Sequence, residues 1–146
     1  MSAFDAMNVS ASGMTAQRLR MDLISQNIAN VNTTRDENGE AYRRKILVFE
    51  EKGRGSFASI LNSKSSTFAG NGVKVTEITE DKETAMNVVY DPSHPDADED
   101  GYVTYPNVNT VTEMTNLIDA SRAYEANITA FNATKSMALK GLEVGK

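Results

Sequence analysis

The chain has 146 residues, 40% of them hydrophobic and 24% charged, with a net charge of −5 and no cysteine. That length allows one moderate core, the acidic balance gives nucleic-acid binding no electrostatic support, and without cysteine no disulfide, thiolate zinc site or cysteine nucleophile can form. No run approaches the length of a membrane span, and the first residues lack the basic and apolar regions of a secretory signal.

Residues 2–31 are expected to form a first long helix, a rod about 45 Å long. Phe4, Met7, Ala11, Met14, Met21 and Ile28 keep heptad spacing, with Ile24 and Val31 alongside. Gly13 weakens its N-terminal half. The helix should end in Asn30, Val31, Asn32, Thr33 and Thr34, whose polar side chains compete for local backbone groups. Only Asp5, Arg18, Arg20 and Asp22 are charged within 2–33, whereas 35–55 holds eleven charges. A water-facing helix normally carries charge on its outer face. The outer faces are therefore expected to touch protein as well, the alternative being an ordinary antiparallel hairpin with a polar surface.

Residues 35–108 change character. Asn38-Gly39 signals a hairpin turn, and residues 42–49 then read as a strand. Residues 56–70 are Ser-rich and weakly patterned, consistent with a flexible loop. Near-alternation at Val73, Val75 and Ile78 suggests a second strand. Residues 86–90 and 102–105 are two further short apolar runs. A small, mostly antiparallel β unit between two helices follows.

The last long stretch, 110–142, opens with Thr110 three residues before Glu113, a capping-box arrangement, and Gly141 and Gly145 sit where a helix stops. Written as heptads, Leu117, Tyr124, Phe131 and Ala138 share one core position. Ala120, Asn127, Thr134 and Gly141 share the other, and Met114, Ile118, Ile128 and Leu142 widen the stripe. Large residues face small ones, which suits close helix–helix contact. Isolated helices are marginal in water, so this one depends on a partner. The fold class is therefore α+β, with an N-terminal helical part (1–34) and a C-terminal one (109–146) paired as an antiparallel coiled coil around a small β-rich domain (35–108).

Three features look chemical. Asp96, Asp98 and Asp100 with Gly101 match the first half of a calcium loop. Position 12 is Asn107 instead of Glu, and Pro92 and Pro95 forbid the entering helix. A calcium-dependent binding module on 96–107 is nonetheless the rival reading from another class. His94, the one histidine, has no partner motif for acid–base work, and the prolines around it favour a rigid turn. Arg43-Arg44-Lys45 reads as strand-edge charge or an inter-subunit contact. Nothing rises to an active site, and no metal, cofactor or small-molecule substrate is implied.

Three stretches together resemble one family, the rod, hook and related axial proteins of the bacterial flagellum. Asn27-Ile-Ala29-Asn30-Val-Asn-Thr33 resembles the signature at the end of that family's N-terminal helix. Tyr42-Arg-Arg44 before an apolar strand resembles the segment that follows. Glu113-Met114 with Leu117 through Asn127 and Phe131 resembles the shared C-terminal helix. A narrower signature, Tyr90-Asp91-Pro92-Ser-His94-Pro95-Asp96 with Gly101-Tyr102 and Pro106-Asn107, is similar to that of one proximal-rod subunit. The resemblance implies a non-enzymatic structural role in the periplasmic rod of the basal body, the driveshaft between motor and hook. It implies other rod proteins and the basal-body base as partners in a homo- and hetero-oligomeric helical assembly. It further implies delivery by the flagellar type III export apparatus without a Sec signal. Terminal segments are expected to gain order on assembly.

Overall fold

The computed structural model describes residues 3–36, 39–52 and 71–144. In chain order the elements are α1 (Ala3–Ala29), β1 (Lys45–Glu51), β2 (Val73–Glu80), β3 (Asn87–Tyr90), β4 (Tyr102–Tyr105) and α2 (Thr110–Val144). The α+β class holds. Instead of one β unit there are two two-stranded antiparallel sheets, β1–β2 and β3–β4. The loop expected over 56–70, and Gly145 as a stop signal, lie outside the described residues.

The helix ends have local causes. After Ala29 the backbone tightens, with Val31 N–H donating to Ile28 O at 3.3 Å and Thr33 N–H to Asn30 O at 3.1 Å. Asn30 Nδ2 donates to Gln26 O, and the Thr33 hydroxyl donates to Asn30 Oδ1. The Asn/Thr run therefore stops α1 by the competition its side chains offer. The capping box at α2 is not formed. Asn109 caps instead, its Oδ1 accepting the Thr112 N–H at 3.1 Å, and Glu113 is committed to other partners. Nor does Gly141 stop α2, which continues to Val144.

Contacts divide the chain into two units. The first comprises Met1–Leu19, Phe49–Thr76 and Ala120–Lys146. Its buried residues, among those described, are small: Ser10, Ala16 and Ala120. Ser12 Oγ accepts the Val73 N–H at 3.1 Å and donates to Val9 O at 2.7 Å, tying α1 to the start of β2. Lys74 and Glu50 form an exposed ion pair at 3.1 Å. Such a pair contributes little.

The second unit comprises Arg20–Val48 and Glu77–Asp119. It buries Leu23, Ile24, Val103 and Pro106. In the β3–β4 hairpin Tyr90 pairs with Tyr102 and Val89 with Val103. Alternation sends Val103 inward and leaves Tyr102 and Thr104 outside.

Candidate assembly site: a buried polar network and the helix seams

The second unit is organised on side-chain amides and carboxylates more than on apolar bulk. Asn27, at the end of α1, is 1% exposed. Its Oδ1 accepts the Tyr42 hydroxyl at 2.8 Å and the Lys45 N–H at 3.0 Å. Its Nδ2 donates to Lys45 O at 2.9 Å and to Glu113 Oε2 at 3.1 Å. The amide thus uses all four of its hydrogen-bonding sites, two as donor and two as acceptor. An aspartate there could not donate to the Lys45 carbonyl, so the identity of Asn27 follows from satisfaction of buried groups.

Asn107 does a similar job beside Pro106. Its Oδ1 accepts the Arg44 N–H at 2.8 Å, and its Nδ2 donates to Asp81 O at 2.9 Å and Thr84 O at 3.1 Å. Between the two asparagines lies Arg44. Its Nε and Nη2 reach Glu113 Oε1 at 2.9 and 2.8 Å, and Nη1 reaches Asp81 Oδ2 at 3.5 Å. Glu113, on the first turn of α2, is as buried as Asn27. Arg44 is therefore an inward-facing cation, which corrects its reading as edge charge or a subunit contact. A buried carboxylate at this depth is tolerable only with such charge-assisted partners.

Two titrations follow. Burial raises the Tyr42 hydroxyl above its usual range, with the negative charges of Glu113 and Glu80 acting the same way. Asp81 is held below the usual carboxylate range by the Thr84 N–H, then by the Thr84 hydroxyl, with Glu83 N–H and Arg44 adding to them against the cost of burial. A depressed carboxylate stabilises the fold above its unfolded pKa and loses that contribution as pH falls through its folded pKa. Acid unfolding should therefore steepen below about pH 4, and Asp81→Asn should flatten that part of the profile when stability is followed by circular dichroism against pH.

The narrower signature builds the β3–β4 connection. Asp91 Oδ1 accepts the Ser93 N–H, and the Asp91 N–H donates to Gly101 O at 2.9 Å. Gly101 has φ +82°, and a Cβ there would meet the Tyr90 ring at 3.0 Å and Pro92 at 3.2 Å, so only glycine fits. His94 Nδ1 accepts the Asp96 N–H at 3.1 Å, and its ring lies 6.2 Å from Tyr105. Pro95 is exposed beside it. Asp96 accepts the Thr34 hydroxyl at 2.8 Å and pairs with Arg35 at 3.4 Å. Asp98 Oδ1 accepts the N–H groups of Asp100 and Tyr102. These carboxylates hold the turn together. Among the described residues no group of three or more His, Asp or Glu side chains converges on a metal position. Tyr90 and Tyr102 stack edge to face, centroids 5.3 Å apart, on the exposed side of the hairpin.

The helix faces divide. In α2 the heptad stripe is the inward one: Ala120 is fully buried, and Leu117, Tyr124, Asn127, Ile128, Phe131, Thr134 and Ala138 are half-buried. Met114, Ile118 and Leu142 are exposed and do not widen it. In α1 the seam is rotated from the expected one. Ser10, Ala16, Leu23, Ile24 and Asn27 are the buried residues; Met7, Met14, Met21 and Ile28 are half-buried flanks, and Phe4 is 74% exposed. Within the first unit the reason is visible at Gly13. A Cβ there would lie 2.7 Å from Asn127 Oδ1, so the small side of α1, not its large side, meets α2.

Nothing in the sequence points to Asp81, and Glu113 stands out there only as a cap and as part of the stretch that resembles the shared C-terminal helix. A signal for Glu113 existed, since it falls one heptad before Ala120, on a core position where an unpaired carboxylate is costly. Ala29, the last residue of α1, is exposed.

Comparison with known proteins gives this architecture a class. The family profile "Flagella basal body rod protein" matches residues 7–35, and "Flagellar basal body rod FlgEFG protein C-terminal" matches residues 99–144. Both helix-bearing ends are thus those of flagellar basal-body rod proteins. The particular family to which the chain belongs is that of flagellar basal-body rod protein FlgC. The FlgC of Bacillus subtilis is 55% identical over 152 residues, covering all of both chains. That of Borreliella burgdorferi is 43% identical over 150 residues, covering 99% of this chain and 98% of its own. An Escherichia coli FlgC is 36% identical over 146 residues, again covering all of both.

Proposed function

We propose that the protein is a structural, non-enzymatic subunit of the proximal rod of the flagellar basal body, polymerising with other rod proteins into a torque-bearing tube. The observation that carries this reading is the likeness to FlgC along the whole chain. It supports a place in the periplasmic part of the basal body, contact with the basal-body base, and passage through the flagellar export apparatus. No helix among the described residues is long and apolar enough to cross a membrane.

Mechanically, α1 and α2 pair antiparallel as the helical core domain, and 35–108 forms the outer domain. Two contacts support the pairing. Gly13 meets Asn127 and Asn27 meets Glu113; from the first contact to the second, α1 advances and α2 retreats by the same two heptads, as an antiparallel register requires. Asn127 also donates to Ala123 O at 2.8 Å, which keeps its amide satisfied while it marks register. Phe4, Met114, Ile118 and Leu142, exposed in the single chain, then serve as contacts to neighbouring subunits. Heterologous contacts that do not close generate a helical tube.

Tyr124→Asp tests the reading. A carboxylate on the inner face of α2 should abolish rod assembly and swimming while secretion of the subunit persists. Normal swimming by that variant, at normal subunit levels, would contradict the role assigned to the helix pair.

A further inference from the structure

Two Asn-Gly pairs occur in the chain, Asn38-Gly39 and Asn71-Gly72. In such a pair the glycine nitrogen can attack the side-chain amide carbon of the asparagine, because no Cβ shields it, and asparagine is thermolabile for this reason. The structure gives the two glycines different surroundings. Gly39, in the second unit, donates its N–H to Asp36 O at 3.1 Å, and a Cβ built on it would meet no described atom within 4 Å. Gly72, in the first unit, has φ +87°, and a Cβ there would collide with Ser12 Oγ and stand 3.2 Å from Ser12 Cβ and 3.5 Å from Val9 Cα. Both sides of Gly72 are held. Its carbonyl accepts the Lys52 N–H at 2.8 Å, and the next N–H, that of Val73, donates to Ser12 Oγ at 3.1 Å. Asn71 precedes it, half-buried.

We infer that Asn71-Gly72 is a site of deamidation and backbone isomerisation gated by the Ser12 contact, and that its isoaspartyl product unfastens the start of β2 from α1. The Gly72 N–H gives its proton to a base in solution as the nitrogen bonds to Asn71 Cγ. The Cγ–Nδ2 bond breaks, and the side-chain nitrogen takes up a proton and leaves as ammonia. Water then opens the succinimide ring at either carbonyl. Opening at Cγ gives aspartate on an unchanged backbone. Opening at the main-chain carbonyl gives isoaspartate, in which the chain runs through Cβ and Cγ of residue 71 and is one atom longer. Ring closure requires the Asn71–Gly72 peptide to turn, which the bonds to Ser12 and Lys52 resist, so the reaction proceeds when that contact opens locally. The longer chain cannot reseat Gly72, because its backbone already lies as close to Ser12 as a glycine allows. At Gly39 the same change meets no such neighbour among the described residues.

Peptide mapping with an isoaspartate-specific methyltransferase, on the full chain incubated at neutral pH, tests this. Isoaspartate should build up at residue 71 more slowly in the folded chain than in the same chain in urea. Ser12→Ala should speed it by about 2- to 10-fold, the range that one net hydrogen bond controls in an opening equilibrium. Conversion at Asn38, read in the same samples, should not respond to Ser12→Ala and reports any general unfolding. Isomerised chains, separated by chromatography, should lose hydrogen-exchange protection at the Val73 amide. Asn71→Asp, which carries the new charge on a normal backbone, should keep it. The inference is overturned by an absence of isoaspartate at residue 71, by equal rates in the folded chain and in urea, or by a Ser12→Ala variant that speeds neither site or both alike. A protected Val73 amide in the isomerised chain, or an unprotected one in Asn71→Asp, overturns it as well.

Discussion

Glu113→Ala is expected to destabilise the second unit by about 3–5 kcal/mol, the usual consequence of removing one partner from a buried charge pair. The size follows from what the carboxylate leaves behind. Arg44 loses its two shortest bonds, at 2.8 and 2.9 Å, and keeps only the 3.5 Å contact to Asp81. Asn27 Nδ2 loses one of its two acceptors. The Arg44 side chain is 26% exposed, too little for water to replace Glu113 fully. Urea unfolding followed by far-UV circular dichroism reads the loss as a lower midpoint with an unchanged slope. The double variant Arg44→Met with Glu113→Leu should recover most of it, because the cost lies in the stranded charge more than in the absent bond. A single variant within about 1 kcal/mol of the parent would show that solvent reaches the pair, as it does for ordinary surface ion pairs.

This prediction turns on the residues that sequence reasoning placed least well. Strand β4 is found at the expected residues and α1 ends at the expected Asn/Thr run, because each is a local property. Heptad periodicity does not locate the buried face of α1, because the large side chains on its heptad positions are half-buried or, at Phe4, exposed. In this chain Ser10 and Ala16 are buried, Gly13 lies close against Asn127, and Met7, Met14 and Met21 are half-buried. Motif resemblance located Asn27, Asn107 and Gly101 without saying what they do. The structure supplies the reasons: two amides that satisfy buried backbone groups, and a left-handed turn closed against Tyr90 and Pro92. Asp81 could not be found, since it acts through backbone N–H groups two and three residues on. Its link to Arg44 spans a separation no local pattern encodes.

Gly13→Leu is expected to abolish swimming while leaving the second unit folded. A Cβ at this position would stand 2.7 Å from Asn127 Oδ1 and 3.0 Å from its Cγ and Nδ2. The amide is not free to swing aside, because Nδ2 is committed to Ala123 O at 2.8 Å. Leucine in place of glycine recovers most of the about 0.8–1.0 kcal/mol of helix propensity by which glycine trails alanine but adds a branched side chain to a tight contact, where overpacking costs typically about 1–3 kcal/mol. The helices separate, and the seam that a neighbouring subunit must recognise is displaced with them. The smaller change Gly13→Ala combined with Asn127→Ala distinguishes crowding from loss of glycine as such. With the amide gone, the new methyl has room and the helix is strengthened, so the pair should assemble where Gly13→Ala alone does so poorly. If the double variant instead fails as badly as the leucine, the Asn127 amide is required for register in its own right, and the close approach at Gly13 is secondary to it.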